Sequence, residues 1–172
     1  QYDHMMSVNM KGTFFCCKYA VEAMIKTGGG NVITTGSVLS FMAEPQFACY
    51  CATKAGVQNL ARSIATEYGR QNIRANCICP GFINTPLGDR FFEQQPDPEA
   101  ARQEASEFQA MGRMGETEEV ARSAVFLASD KTQLIISRVC SIVCCGCGSM
   151  GTLPHTPVPP DEEGRHVKHF FA

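Results

Sequence analysis

The chain has 172 residues, 44% of them apolar and 19% charged, the balance of one ordinary globular domain able to bury a substantial core. A formal net charge of −2 gives no basis for binding nucleic acid or an anionic membrane surface. The unbroken apolar runs, such as Ala124 to Ala128, are far too short to span a bilayer, so no membrane partner is expected.

Residues 3 to 27 read as a helix. Met6, Met10, Phe14, Cys17, Val21 and Met24 keep helical spacing, Tyr19 and Ala23 lie beside that stripe, and Gly28-Gly29-Gly30 stops it. Asn9 falls inside this helix; taken alone it is a polar residue on a solvated face. Asn31 to Thr35 is a short β-rich run consistent with a buried parallel strand. Ser37 follows at its C-terminal end, where ligands sit in open α/β sheets, although an isolated serine there is usually a turn residue. Residues 38 to 47 read as a loop. A second helix is predicted over residues 48 to 68, with Val57, Leu60, Ile64 and Tyr68 in one stripe, Ala61 and Ala65 beside it, and Gly69 as its end.

A second strand is predicted over 73 to 79, closed by Pro80-Gly81. Residues 82 to 115 read as irregular, with one helix over about 99 to 111, and a segment of this kind after a strand end is a natural substrate lid. Thr117 reads as the N-cap of a helix that runs to 128, with Glu118 and Glu119 in its first turn. Residues 138 to 145 fit a last strand. The proline-rich and charged remainder, 146 to 172, is expected to be disordered. The domain is therefore placed at 1–145.

Ten cysteines are many for this length, but most lie in apolar, periodic segments where a thiol behaves as a small hydrophobe. No N-terminal stretch has the layout of a signal peptide, so the expected compartment is the cytosol and the thiols are expected to be reduced. Cys140, Cys144, Cys145 and Cys147 form a cluster. Even with His155 as a further ligand, the cluster contains one C-x-x-C pair and no second pair at the spacing of a structural zinc site, so no metal is expected.

The stretch Tyr50-Cys51-Ala52-Thr53-Lys54 carries the chemistry. On a helix, Tyr50 and Lys54 share a face. An ammonium beside a phenol favours the phenolate and lowers a pKa that starts near ~10, which makes a tyrosine able to exchange a proton. A lone Y-x-x-x-K is a weak signal. Here Asn9, Ser37, Tyr50 and Lys54 follow one another at intervals of 28, 13 and 4 residues on an α/β alternation that favours a parallel sheet.

With V-N-x-K-G-x-F from Val8, N-V-I-x-x-x-S from Asn31, I-R-x-N-C-x-C-P-G from Ile73, Thr85-Pro86 and G-E-T-E-E-V-A from Gly115, the chain resembles the C-terminal two-thirds of a short-chain dehydrogenase/reductase over residues 2 to 130. The resemblance implies a partial Rossmann-type doubly wound parallel sheet of the α/β class that lacks its N-terminal strands. It implies an NAD or NADP cofactor and a small carbonyl or alcohol substrate interconverted by hydride transfer. Tyr50 is then the general acid or base, Ser37 a hydrogen-bond donor to the substrate oxygen, and Lys54 the group that lowers the Tyr50 pKa and holds the nicotinamide ribose. Asn9 anchors a water that links Lys54 to solvent. Pro80, Gly81 and Ile83 border the nicotinamide, and Thr85, by itself an ordinary turn residue, bonds its amide or the pyrophosphate. A homo-oligomer is implied, more securely a dimer through the helices of Asn9 and Tyr50 than a tetramer.

Two departures stand beside the resemblance. The sequence contains no glycine-rich phosphate loop between a strand and a helix, and no ribose-selecting residue, so NAD and NADP are not distinguished. An exposed sheet edge is expected in consequence. Beyond Asp130 the family's pattern is lost. Within the family, residues 73 to 130 are most similar to the cytosolic beta-hydroxybutyrate dehydrogenase group, with bacterial-type oxoacyl-carrier-protein reductases an equal competitor. The first group binds an acid with arginines; only Arg90 stands nearby, and Phe47 occupies a place where an arginine is expected. Two rival expectations are a catalytically dead fragment that binds a related subunit, and a metal module on the terminal cysteines.

Overall fold

The computed structural model describes residues 1–129, 132 and 135, and the backbone of 139–142. The tail expected to be disordered and the cluster Cys144, Cys145 and Cys147 lie outside the described residues.

A helical rod opens the chain. It comprises α1 (Tyr2–Met5), a π-helical segment (Met6–Gly12) and α2 (Thr13–Thr27). The sequence pattern showed one helix over 3 to 27 and gave no sign of the π segment, whose wider turn surrounds Asn9. Gly28, at φ 88°, ends the rod in the left-handed region that glycine tolerates. Strand β1 (Gly30–Thr35) follows, then a short 3-10 turn (Val38–Ser40) inside the predicted loop.

Helix α3 (Ala48–Tyr68) runs antiparallel to its neighbour strands' direction of travel, as a crossover between parallel strands must, and leads to β2 (Ile73–Pro80). α3 ends as expected at Tyr68, with Gly69 as its C-cap. The chain tightens into a 3-10 turn over Gly69–Gln71, and the reversal falls on Asn72, at φ 61°. Asparagine holds that left-handed conformation more readily than most residues, and here its Nδ2 donates to the Gly28 carbonyl at 3.2 Å.

Beyond β2, the stretch expected to be irregular contains helix α4 (Pro86–Glu93) ahead of α5 (Pro98–Phe108). Thr85 caps α4 by accepting from the Gly88 N–H at 3.0 Å, and Pro86 sits at the first helical position, where its missing N–H costs nothing. Helix α6 (Thr117–Ala128) begins one residue earlier in its capping than expected: Glu116, not Thr117, is the cap. Glu116 and Glu119 satisfy one another's backbone N–H groups, and Arg113 holds the Glu119 carboxylate through two nitrogens at 2.9 and 2.7 Å.

The described sheet has the order β1-β2-β3, with β3 (Val139–Ile142) inside the predicted 138–145, and both pairings are parallel. β1 and β3 are the outer strands of the described sheet. Side chains alternate along β2. Ile73, Ala75, Cys77 and Cys79 face α2 and α3, where they pack with Cys17, Val21, Val32, Leu60, Ala61, Ile64 and Tyr68 in one buried cluster. The predicted stripe of α3 is the face that supplies this core, and a side chain such as Ile64, wholly buried, contributes roughly 1.5–3 kcal/mol by leaving water.

The opposite face is polar and serves α6. Asn31 Nδ2 and Arg74 Nη1 both donate to the Leu127 carbonyl, at 2.7 and 3.0 Å, and Arg74 Nη2 donates to the Ser129 carbonyl at 3.3 Å. These bonds meet the carbonyls that a helix C-terminus leaves open. The two packed faces make the sheet doubly wound, and its topology puts the C-terminal ends of β1 and β2 side by side.

Candidate active site

Close packing shapes the β1 end. A Cβ on Gly36 would lie 2.6 Å from Cys79 Sγ and 3.0 Å from both Cys77 Sγ and Ser40 Oγ, so only glycine fits between strand and loop. The Gly36 N–H donates to the Ile78 carbonyl at 2.7 Å, pinning the loop to β2. Ser37 is then locked by a reciprocal box. Its Oγ accepts from the Leu39 N–H at 3.2 Å, and Ser40 Oγ accepts from the Ser37 N–H at 3.1 Å. Only 8% of Ser37 is exposed, and its hydroxyl has one proton left to give.

The Ser37 side chain stands beside the Tyr50 phenol and favours its ionised form, so the two side chains meet on one side of the sheet. Tyr50 stands in the first turn of α3, half-buried. Burial pushes its pKa above the ordinary phenol value, Ser37 works against that rise, and Cys51 adds to it. The expected lowering by Lys54 is not the outcome in this chain. The Lys54 ammonium lies 5.6 Å from the Tyr50 ring centroid, over the ring, and donates to the Thr35 carbonyl at 3.0 Å. Its charge is thus spent on a carbonyl and a π face, and burial of the phenol dominates. Burial also lowers the Lys54 pKa, partly offset by the nearby Cys77 and Cys79.

Asn9 does not bond Lys54 directly. Its Nδ2 donates to Thr53 Oγ1 at 3.2 Å, and Thr53 Oγ1 donates to the Tyr50 carbonyl at 2.8 Å. The π segment therefore holds the first turn of α3 through Thr53, which is 1% exposed. Thr53 went unnoticed in the sequence because an inward threonine on a helix carries no pattern of its own. Its place between Tyr50 and Lys54 was the available sign.

Pro80 ends β2 and Gly81 follows, half-buried. Ile83 bridges to Gly115, and the Asn84 N–H donates to the Gly115 carbonyl at 2.8 Å, so the start of the lid is stitched to the approach of α6. Thr85 spends a lone pair on capping α4 and keeps its hydroxyl proton. Asn9, Ser37, Tyr50 and Lys54 are thus linked by bonds and contacts around the β1 end, and Pro80, Gly81, Ile83 and Thr85 follow one another from the end of β2.

A family model described as Enoyl-(Acyl carrier protein) reductase matches residues 1–144. The chain belongs to the short-chain dehydrogenase/reductase family. It is 36% identical over 141 residues to the 3-oxoacyl-acyl-carrier-protein reductase FabG of Thermotoga maritima, covering 82% of this chain and 55% of that protein. It is 37% identical over 135 residues to dehydrogenase/reductase SDR family member 6 of Xenopus laevis, covering 78% and 55%. Among solved structures, levodione reductase superposes with a TM-score of 0.80 at 32% identity, covering 83% of this chain and 56% of that one. ElxO with NADP bound superposes at 0.75 and 29%, covering 82% and 56%. The chain thus spans little more than half the length of these short-chain dehydrogenase/reductase relatives, and its sheet is a partial Rossmann-type sheet.

Proposed function

We propose that this chain is the catalytic wall of an NAD(P)-dependent oxidoreductase that interconverts a carbonyl and a secondary alcohol. The observation that carries the reading is the Ser37 side chain set beside the Tyr50 phenol, with the Lys54 ammonium over the same ring. A carbonyl oxygen held between the two hydroxyls receives a hydrogen bond from Ser37 and the proton from Tyr50. When bound, the nicotinamide dinucleotide supplies the hydride. The raised Tyr50 pKa keeps the phenol protonated in neutral solution, the form needed for carbonyl reduction. Alcohol oxidation needs the phenolate, so its rate rises with pH into the alkaline range.

The cofactor fits the residues present in its nicotinamide half. Lys54 and Tyr50 offer polar groups at the strand ends, where nucleotides lie in open α/β sheets, and Pro80, Gly81, Ile83 and Thr85 border the same end. Solved relatives titled with NADP or NADPH bound support this choice. Tyr50→Phe is expected to lower the rate of carbonyl reduction by at least a thousandfold while leaving nucleotide affinity within about threefold. Turnover retained in that variant removes Tyr50 from the role.

A second reading, a subunit-binding partner that is not itself the catalyst, is favoured by the apolar residues exposed on the opening rod. They include Tyr2, Val8, Phe15 and Tyr19, as a surface that meets another subunit requires. Calorimetric titration of the purified chain with NADP separates the two readings, since micromolar affinity excludes the second. The same exposed face supports a homo-oligomer, and light scattering that returns a monomer at micromolar concentration rejects it.

A further inference from the structure

The wall beside Tyr50 is aromatic. Phe47 meets the Tyr50 ring edge to face, with centroids 6.3 Å apart, and Phe91 meets Phe47 in the same manner at 6.0 Å. Phe91 packs on Phe92 at 5.4 Å, and Phe92 on Phe82 at 6.4 Å. Phe92 is buried, but Phe91 and Phe82 are 38% and 36% exposed, so the rings form a continuous apolar surface that starts at the phenol and reaches solvent. Core packing does not need those exposed rings. An apolar surface that begins at a convergent pair of hydroxyls is the usual make-up of a small-molecule site.

The cations around this surface are engaged elsewhere. Lys54 donates to the Thr35 carbonyl. Arg102 is paired with Asp89 at 2.6 Å, its guanidinium 4.8 Å from the Phe92 centroid on the lid. Arg113 is paired with Glu119 at 2.7 Å. Arg90 is exposed and turns its Nε back to the Pro86 carbonyl at 3.2 Å. A carboxylate laid against Phe47 would lose its water to apolar rings, a cost that a neutral group does not meet.

We infer that the substrate is a neutral ketone or secondary alcohol bearing an aryl or branched alkyl group, and that Phe47 and Phe91 bind that group beside Tyr50. The inference rests on the oxidoreductase reading and adds the substrate class. Phe47 is the specificity-determining residue: it touches Tyr50 directly and sits in the loop that leads into α3.

The test compares 1-phenyl-1,2-propanedione with acetoacetate as substrates of the purified protein with NADH and, in parallel, with NADPH. The expected kcat/KM for the aryl diketone exceeds that for acetoacetate by at least tenfold. Phe47→Ala is expected to raise KM for the aryl diketone about tenfold, on the scale of losing one ring's apolar contact, with kcat little changed. Phe47→Leu, which keeps an apolar wall, is expected to restore most of the loss and so to separate contact from misfolding. Equal or faster turnover of acetoacetate overturns the inference, as does an unchanged KM in Phe47→Ala. If neither compound is reduced, saturation-transfer NMR decides. Transfer to the phenyl protons that is lost in Phe47→Ala upholds the binding surface while removing the oxidoreductase reading. Absence of transfer in the unaltered protein overturns the inference as well.

Discussion

At Gln109 the chain buries an amide beside Gly81, 2% exposed, with neither amide atom hydrogen-bonded among the described residues. A Cβ on Gly81 would lie 2.7 Å from Gln109 Oε1, so the two residues fill one space. An unpaired buried amide costs about 1–3 kcal/mol in lost hydration. Gln109→Met keeps the shape and removes the polar atoms, and is expected to stabilise the protein by about that amount. A urea titration that shows destabilisation instead would reveal a partner for the amide. Sequence reading could not anticipate this burial. The pattern carried the helix on to Met111, whereas α5 stops at Phe108 and the extended Gln109 turns inward. Ser37, Tyr50 and Lys54 were legible because strand end and helix period fix where such side chains point. Whether the ammonium or burial governs the phenol depends on where the Lys54 charge is spent, and no spacing encodes that.

Helix α6 shows why a segment such as I-R-x-N has the form it has. Strand alternation puts Ile73 and Ala75 in the apolar core and Arg74 and Asn76 on the other face. There Arg74 and Asn31 share the Leu127 carbonyl, and Asn76 Nδ2 donates to the Ile135 carbonyl at 3.0 Å. Arg74→Met is expected to cost about 1.5–3 kcal/mol, because a charged donor leaves a half-buried helix end, and Asn31→Leu about 1 kcal/mol. Since both serve one acceptor, each single variant leaves the other donor in place, and the double variant should exceed the sum by at least about 0.5 kcal/mol in urea unfolding. Strict additivity would mean that the two donors act independently of that carbonyl. The strands and the long helices of this face and the core were readable from periodicity alone. Helix α4 was not, because Thr85-Pro86 reads equally as a turn; the bond from Gly88 to Thr85 is what makes it a helix start.

At the scale of the whole molecule, two phenols contribute to the alkaline limit of stability, beside the Cys17 thiol that burial pushes up to about 11. Tyr68, 4% exposed at the base of α3, has its pKa raised from 10.0 to about 12, first by burial and then by the Glu67 carboxylate, with Glu22 adding to it. Tyr50 is raised in the same direction by burial. In each case the folded protein holds its proton more tightly than the unfolded chain, whose phenols titrate near 10. Their contribution is therefore complete below pH 10 and declines as pH rises through the folded value, about 12 for Tyr68. Melting temperature is expected to be insensitive to these groups near neutrality and to fall steeply between pH 10 and 12, the window of the Tyr68 shift. Tyr68→Phe removes the titrating group, so its melting temperature should lie below that of the unaltered protein at pH 7, through loss of the bond to Glu67, yet decline less on the alkaline side. Parallel curves for the two proteins across that window would mean that Tyr68 has the same proton affinity folded and unfolded, and that the alkaline limit lies elsewhere in the molecule.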